Sequence, residues 1–142
     1  KGIAEFPTIM IADIQYCQSD VIKAMNVTED MLTAHPNLKG IFAASEPAAI
    51  GVVQALEAAG KAGQIKLVAF DASDDEIAAL RLGTIQALIV QNPFRMGYDG
   101  VKTALDVIQG KQVEKRIDTG VTAVTMENIE TPEVQKLLNP LG

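Results

Sequence analysis

The strongest constraint in this sequence is an alternation of two periodicities. Short apolar runs, Leu38 to Ala44, Ile65 to Phe70 and Ile85 to Val90, alternate with longer segments whose apolar residues recur every three or four positions. Val21, Ile22, Met25, Met31 and Leu32 make the first such segment, and Ile50, Val53 and Leu56 the second. Ile77, Leu80 and Leu82 make the third, and Met96, Val101, Leu105 and Ile108 the fourth. A continuous apolar run suits a strand buried on both sides, and a three-to-four repeat suits a helix with one apolar stripe. Together they predict an α/β layer structure: a parallel sheet with helices on both faces.

Punctuation supports these boundaries. The first helix starts at Asp20 and stops before Pro36, Pro47 stands at a first helical turn, and Ser73 with Glu76 three residues later forms a capping-box pattern ending at Gly83. Asn92-Pro93 opens the fourth helix, which runs to Gly110, and Thr131-Pro132 opens a short last one. Thr8 to Ala12 is expected to be an opening buried strand that ends near Gln15, and residues 117–126 are expected to be extended. Gly110 to Lys115 is the most polar connection and the expected boundary segment.

Composition removes several classes of function. The 142 residues suffice for one domain that buries about two thirds of its unfolded surface. Twelve Lys and Arg against 18 Asp and Glu leave a charge of −6, which argues against a nucleic-acid backbone binder. One cysteine, Cys17, forms no disulfide within the chain, and one histidine, His35, leaves no Cys/His zinc set and no hydrolytic triad. His35 is expected to complement a helix end, and Cys17 to be a passive thiol. The acids from Asp71 to Glu76 lack the spacing and central glycine of a calcium loop and read as a helix start. No phosphate-loop or dinucleotide spacing occurs around Gly60 and Gly63, and no cofactor or metal is expected. No apolar stretch is long enough to span a membrane. The opening Lys1 to Pro7 lacks a leader's basic-then-apolar layout, and its start on Lys1 rather than Met suggests a piece of something longer.

Ligands of open parallel sheets collect at the carboxyl ends of the strands. The polar residues expected there are Gln15 to Gln18, Ser45 and Glu46, Asp71 and Ser73, and Gln91 and Asn92. A carboxylate directly after an apolar strand, as Asp71 follows Phe70, accepts two hydroxyl hydrogen bonds from one ligand, and the Gln91 amide both donates and accepts. This chemistry suits a neutral polyhydroxylated ligand. A plainer reading stands beside it. Ser45, Ser73 and Asn92 are good helix caps, Asp71 can orient its loop, and Gln91 can simply end a strand.

The sequence from about Met10 to Leu138 resembles the carboxy-terminal lobe of the type I periplasmic sugar-binding proteins, the ribose-binding-protein-like group. The resemblance is carried by Leu32-Thr33-Ala34-His35-Pro36, by Ile41 to Gly51, by Val68-Ala69-Phe70-Asp71, by Gln91 to Gly97 and by Val124 to Ile129. It implies a non-enzymatic lobe that binds a sugar or polyol for an ABC transporter permease in the periplasm, closing over the ligand with an amino-terminal lobe that this chain lacks. It places family ligand contacts at Ser45, Asp71 and Gln91, with Phe70 beside them, and leaves Tyr16 as the substitute for an aromatic contact that falls near Ser19. Where the family usually has Asn-Asp, this chain has Ser45-Glu46, which puts the sugar preference in doubt. The resemblance divides the chain into residues 1–92 as part of the carboxy-terminal lobe, 93–120 as a hinge-crossing segment of the other lobe, and 121–142 as a return segment with a terminal helix. The apolar face of the fourth helix then lacks a surface to pack on, so the isolated chain is expected to dimerise or swap this helix. The competing reading is the effector-sensing domain of a transcription repressor of the LacI type, which uses a similar two-lobed fold. A response-regulator-like module would need clustered acids or a phosphate loop at the first strand tip, and Gln15 to Gln18 supply neither.

Overall fold

The structure, a computed structural model, describes residues 5–141. Residues 1–4, on which the leaderless reading of the start partly rests, and residue 142 lie outside the described residues. Nine elements follow in chain order: α1 (Val21–Ala34), β1 (Gly40–Ala43), α2 (Glu46–Ala58), β2 (Lys66–Phe70), α3 (Asp74–Leu82), β3 (Ala87–Gln91), α4 (Pro93–Ile108), β4 (Val121–Val124) and α5 (Pro132–Leu138). The strands form one sheet in the order β1-β2-β3-β4. β1, β2 and β3 run parallel, whereas β4 pairs antiparallel with β3, Gln91 opposite Val121.

The helix limits follow local chemistry. Asp20 caps α1 by accepting from Lys23 N at 2.7 Å. Ser73 and Glu76 form the full capping box of α3, and Gly83, at φ 81°, takes the left-handed turn that ends it. Alternation along the strands sends Leu67, Ala69, Leu88, Val90 and Val124 to one face, where they join Ala49, Val52 and Leu56 of α2 and Leu80 of α3 in the core. Ile129 and Val134 extend that core beneath α5. A bidentate-capable Arg81 on α3 pairs with Glu130 at 2.7 Å on the same side. The α/β reading therefore holds, with one edge strand reversed.

Among the described residues the helix layer falls on this one face. On the other, the edge residues Phe42 and Val121 are each 60% exposed. The expected opening strand is also absent. Residues 8–12 are irregular, with Ile9 54% and Met10 88% exposed, because strand structure requires a hydrogen-bonded neighbour and β1 pairs only with β2. Apolar composition alone does not make a strand.

α1 covers α2, not the sheet, and the contact is close because of one glycine. A Cβ on Gly51 would lie 2.5 Å from Ala24 Cβ and 2.5 Å from the Val21 carbonyl oxygen. Both partners are helix backbone or its first side-chain atom, so relief requires the helices to move apart. Gly51→Ala is expected to destabilise the fold by about 1–3 kcal/mol, the usual range for overpacking. Thermal denaturation followed by circular dichroism would show this as a lower midpoint, and an unchanged midpoint would mean that the helices separate freely.

Candidate functional site

Parallel pairing sets three strand ends side by side. Ala43 is in register with Ala69, and Phe70 with Ile89. Two residues beyond the first pair lie Ser45 and Asp71, and Gln91 is the last residue of β3. Neighbouring strands are about 4.8 Å apart, so these three positions form a row on the order of 10 Å long at the carboxyl edge. One ring carrying several hydroxyls can bridge such a row.

The helix caps decide which of these groups are free to act. Asn92 Oδ1 accepts from Arg95 N at 2.9 Å, and Ser73 Oγ accepts from Glu76 N at 3.4 Å, so both serve the plainer role of caps. Ser45 occupies the N-cap of α2, but its side chain makes no capping bond. Its hydroxyl is half-buried and is not committed to the helix. Asp71 N donates to Ile89 O at 3.1 Å, continuing the ladder one step past β2. The same residue then turns at φ 83°, in the left-handed region that a non-glycine residue enters at a cost of about 1–3 kcal/mol. The chain therefore leaves the extended conformation at the residue that carries this carboxylate. Phe70 and Gln91 are partly buried beside it.

Tyr16 belongs elsewhere. It is 78% exposed in the irregular segment before α1, so the expected first strand tip, Gln15 to Gln18, does not exist. Nearby, Gln18 and Ser19 both have φ 57°, and Lys23 Nζ donates to Gln18 Oε1 at 3.1 Å. His35 ends α1, as expected of a helix-end residue, with Nε2 3.9 Å from Asp13 Oδ2. Cys17 is a free, partly buried thiol. Two concavities are present among the described residues, about 260 Å³ between α2 and α3, lined in part by Glu76, and about 370 Å³ beside α5. Among the described residues no three metal-ligating side chains cluster, and no helix is long and apolar enough to cross a membrane.

Sequence reasoning missed one group. Glu76, read only as a capping residue in an acidic helix start, is 1% exposed. Its Oε2 accepts from Ser73 N at 2.8 Å and from Ser73 Oγ at 3.1 Å, while its buried Oε1 has no partner. Burial raises its pKa above the ordinary 4.5, opposed by the two Ser73 hydrogen bonds and reinforced by the negative charges of Glu46 and Asp71. The folded chain therefore holds this proton more tightly than the unfolded chain. Stability contributed by the protonated form is lost as pH rises from about 4.5 through the raised value. Glu76→Gln does not titrate, so its melting temperature is expected to exceed that of the unmodified protein by more at pH 7 than at pH 4. A pH-independent difference between the two proteins would remove this carboxyl as a source of acid stabilisation.

Comparisons with known proteins agree on one family. The sequence profile of the periplasmic binding protein domain matches residues 1–112. The ribose import binding protein of Escherichia coli strain K12 is 35% identical over 108 residues, 76% of this chain and 36% of that protein. The D-ribose/D-allose-binding protein of Pseudomonas aeruginosa is 32% identical over 132 residues, 93% of this chain and 41% of that protein. A solute-binding protein of an ABC transporter from Agrobacterium vitis, solved with bound D-fucose, superposes with a TM-score of 0.87 at 42% identity, covering 94% of this chain and 46% of that one. A carbohydrate transporter solute-binding protein from Agrobacterium radiobacter, in complex with D-arabinose, gives 0.88 at 36% identity, covering 95% and 46%. The chain thus spans less than half the length of these relatives. Their names describe solute uptake, not transcription repression.

Proposed function

The chain belongs to the periplasmic binding protein domain family, and from that premise we propose that it is a lobe of a carbohydrate-binding protein that serves an ABC transporter without catalysing a reaction. The observation that carries this is the row of Ser45, Asp71 and Gln91 at three adjacent strand ends, with the Ser45 hydroxyl left free by its helix. In this reading the Asp71 carboxylate accepts from sugar hydroxyls, the Gln91 amide donates and accepts, Ser45 adds a short-reach hydroxyl, and Phe70 shields the row. Tyr16 lies outside this row, exposed in the segment before α1. The ligand is a neutral sugar or polyol, and the relatives named for ribose, allose, arabinose and fucose support that class. The periplasm is the compartment, the partner is a membrane permease, and no nucleic acid is involved.

The amino-terminal lobe supplies the other wall of the cleft. Residues 93–120 belong with that lobe, and α4 supports this division. Phe94, Tyr98, Val101, Leu105 and Ile108 follow one another at spacings of four and three along α4, all at least 52% exposed, and none of its residues is buried. Burying a large apolar side chain is worth roughly 1.5–3 kcal/mol, so this stripe favours a cover. Deprived of the other lobe, the 142-residue chain is expected to dimerise through the α4 stripe or exchange that helix. Sedimentation equilibrium of the purified chain tests this, and a well-folded monomer at micromolar concentration contradicts it.

Binding itself is tested on the complete protein that contains this chain. Titration calorimetry with D-ribose, D-allose, D-arabinose and D-fucose is expected to find a ligand among them or their isomers. Asp71→Ala is expected to weaken that affinity by roughly 10-fold to 150-fold, the worth of a hydrogen bond to a charged group. Unchanged affinity would take Asp71 out of the site.

A further inference from the structure

We propose that Glu76 is a positioning residue for the ligand-binding carboxylate, fixing the short connection from Asp71 to Ser73 so that Asp71 faces the sugar. The inference rests on the sugar-binding reading and adds a residue from outside the row of strand ends. Three anchors define the connection. At its start, Asp71 N is bonded to Ile89 O at 3.1 Å, so the residue is tied to the neighbouring strand before it turns. In its middle, Ala72 packs against the core. At its end, Ser73 N and Oγ both donate to Glu76 Oε2, and Ser73 O accepts from Ile77 N at 2.9 Å.

Only the last anchor depends on a polar side chain. Asp71 stands at φ 83°, a conformation that its own backbone does not favour, so the residues that follow must hold it there. The backbone bond from Ile77 is common to any helix start. The two bonds to Glu76 are specific, and they are accepted by a carboxylate that is almost fully buried and leaves Oε1 without a partner. A surface capping box needs no such burial. Here the acid stands under the loop it holds, facing the charges of Glu46 on α2 and of Asp71 itself, with Asp74 and Asp75 on its own helix.

The experiment compares sugar affinity in four variants of the complete protein, with Asp71→Ala as a fifth, using whichever of D-ribose, D-allose, D-arabinose or D-fucose binds it tightest. Each titration is run well below the variant's melting temperature. Glu76→Ala removes the acceptor and is expected to weaken binding about tenfold through misplacement of Asp71. Glu76→Gln keeps an acceptor oxygen for Ser73 and is expected to stay within about threefold of the parent. Ser73→Ala keeps the acid, loses one donor, and is expected to weaken binding by about threefold, which decides the matter should Glu76→Ala not fold. Ile85→Val trims a buried side chain just before β3, at the end of that strand remote from the site, and is expected to lower the melting temperature without changing affinity. Parent-like affinity in Glu76→Ala overturns the proposal while leaving the sugar site intact, provided that Asp71→Ala still weakens binding. Equal losses in Glu76→Ala and Glu76→Gln also overturn it, because the charge would then matter and not the acceptor. If Asp71→Ala has no effect, the sugar-site reading and this inference fall together.

Discussion

The parallel ladder that joins β1, β2 and β3 is the interaction on which the other features depend. Its register brings Ser45, Asp71 and Gln91 to one edge although the first and the last stand 46 positions apart in sequence. Each strand turns into a helix immediately beyond that edge, so the caps and the candidate ligand groups compete for the same few positions. The helices in turn need the inner face of the sheet. α2 lies over Leu67 and Ala69, and α1 follows only because Gly51 permits backbone-close contact. A shift of one residue in any one strand would turn its inner face outward and break the row.

Apolar surface that this chain does not cover is the second theme. The α4 stripe, the outward edge residues Phe42 and Val121, and the irregular run from Ile9 to Ile14 all expose large side chains to water. These surfaces are consistent with a chain that spans less than half the length of its relatives. An open row of strand ends also leaves any ligand wet on one side.

Much of the fold was legible because local signals agreed with tertiary need. The capping box at Ser73, the glycine stop at Gly83 and the proline starts at Pro47 and Pro93 act within a few residues, and each boundary appears where the pattern puts it. The opening strand was misread because Thr8 to Ala12 has the composition of a strand but no neighbour to bond with, and pairing is not written in a single segment. Tyr16, named from the resemblance as the aromatic nearest the start of α1, lies in the same irregular segment and is exposed. The reversal of β4 was equally invisible, because an extended segment carries no sign of its direction. Among the site candidates, strand-end position was readable for Ser45, Asp71 and Gln91. Whether a hydroxyl is spent on a cap was not: Ser73 and Asn92 are, whereas Ser45 is not, and only backbone geometry separates them.

The sequence by itself determined the alternation of strands and helices, the positions of the caps and the chemical types at the strand ends, because periodicity and capping act over a single turn or pleat. It also carried the family resemblance, since order and spacing survive in one dimension. Only the tertiary structure decided that Asp71 turns through a left-handed conformation, that Glu76 is buried beneath its loop with one oxygen unpartnered, and that α4 buries none of its residues. Those outcomes depend on which surfaces meet across dozens of residues. Burial and hydrogen-bond satisfaction are properties of the assembled layers, and no local pattern encodes them.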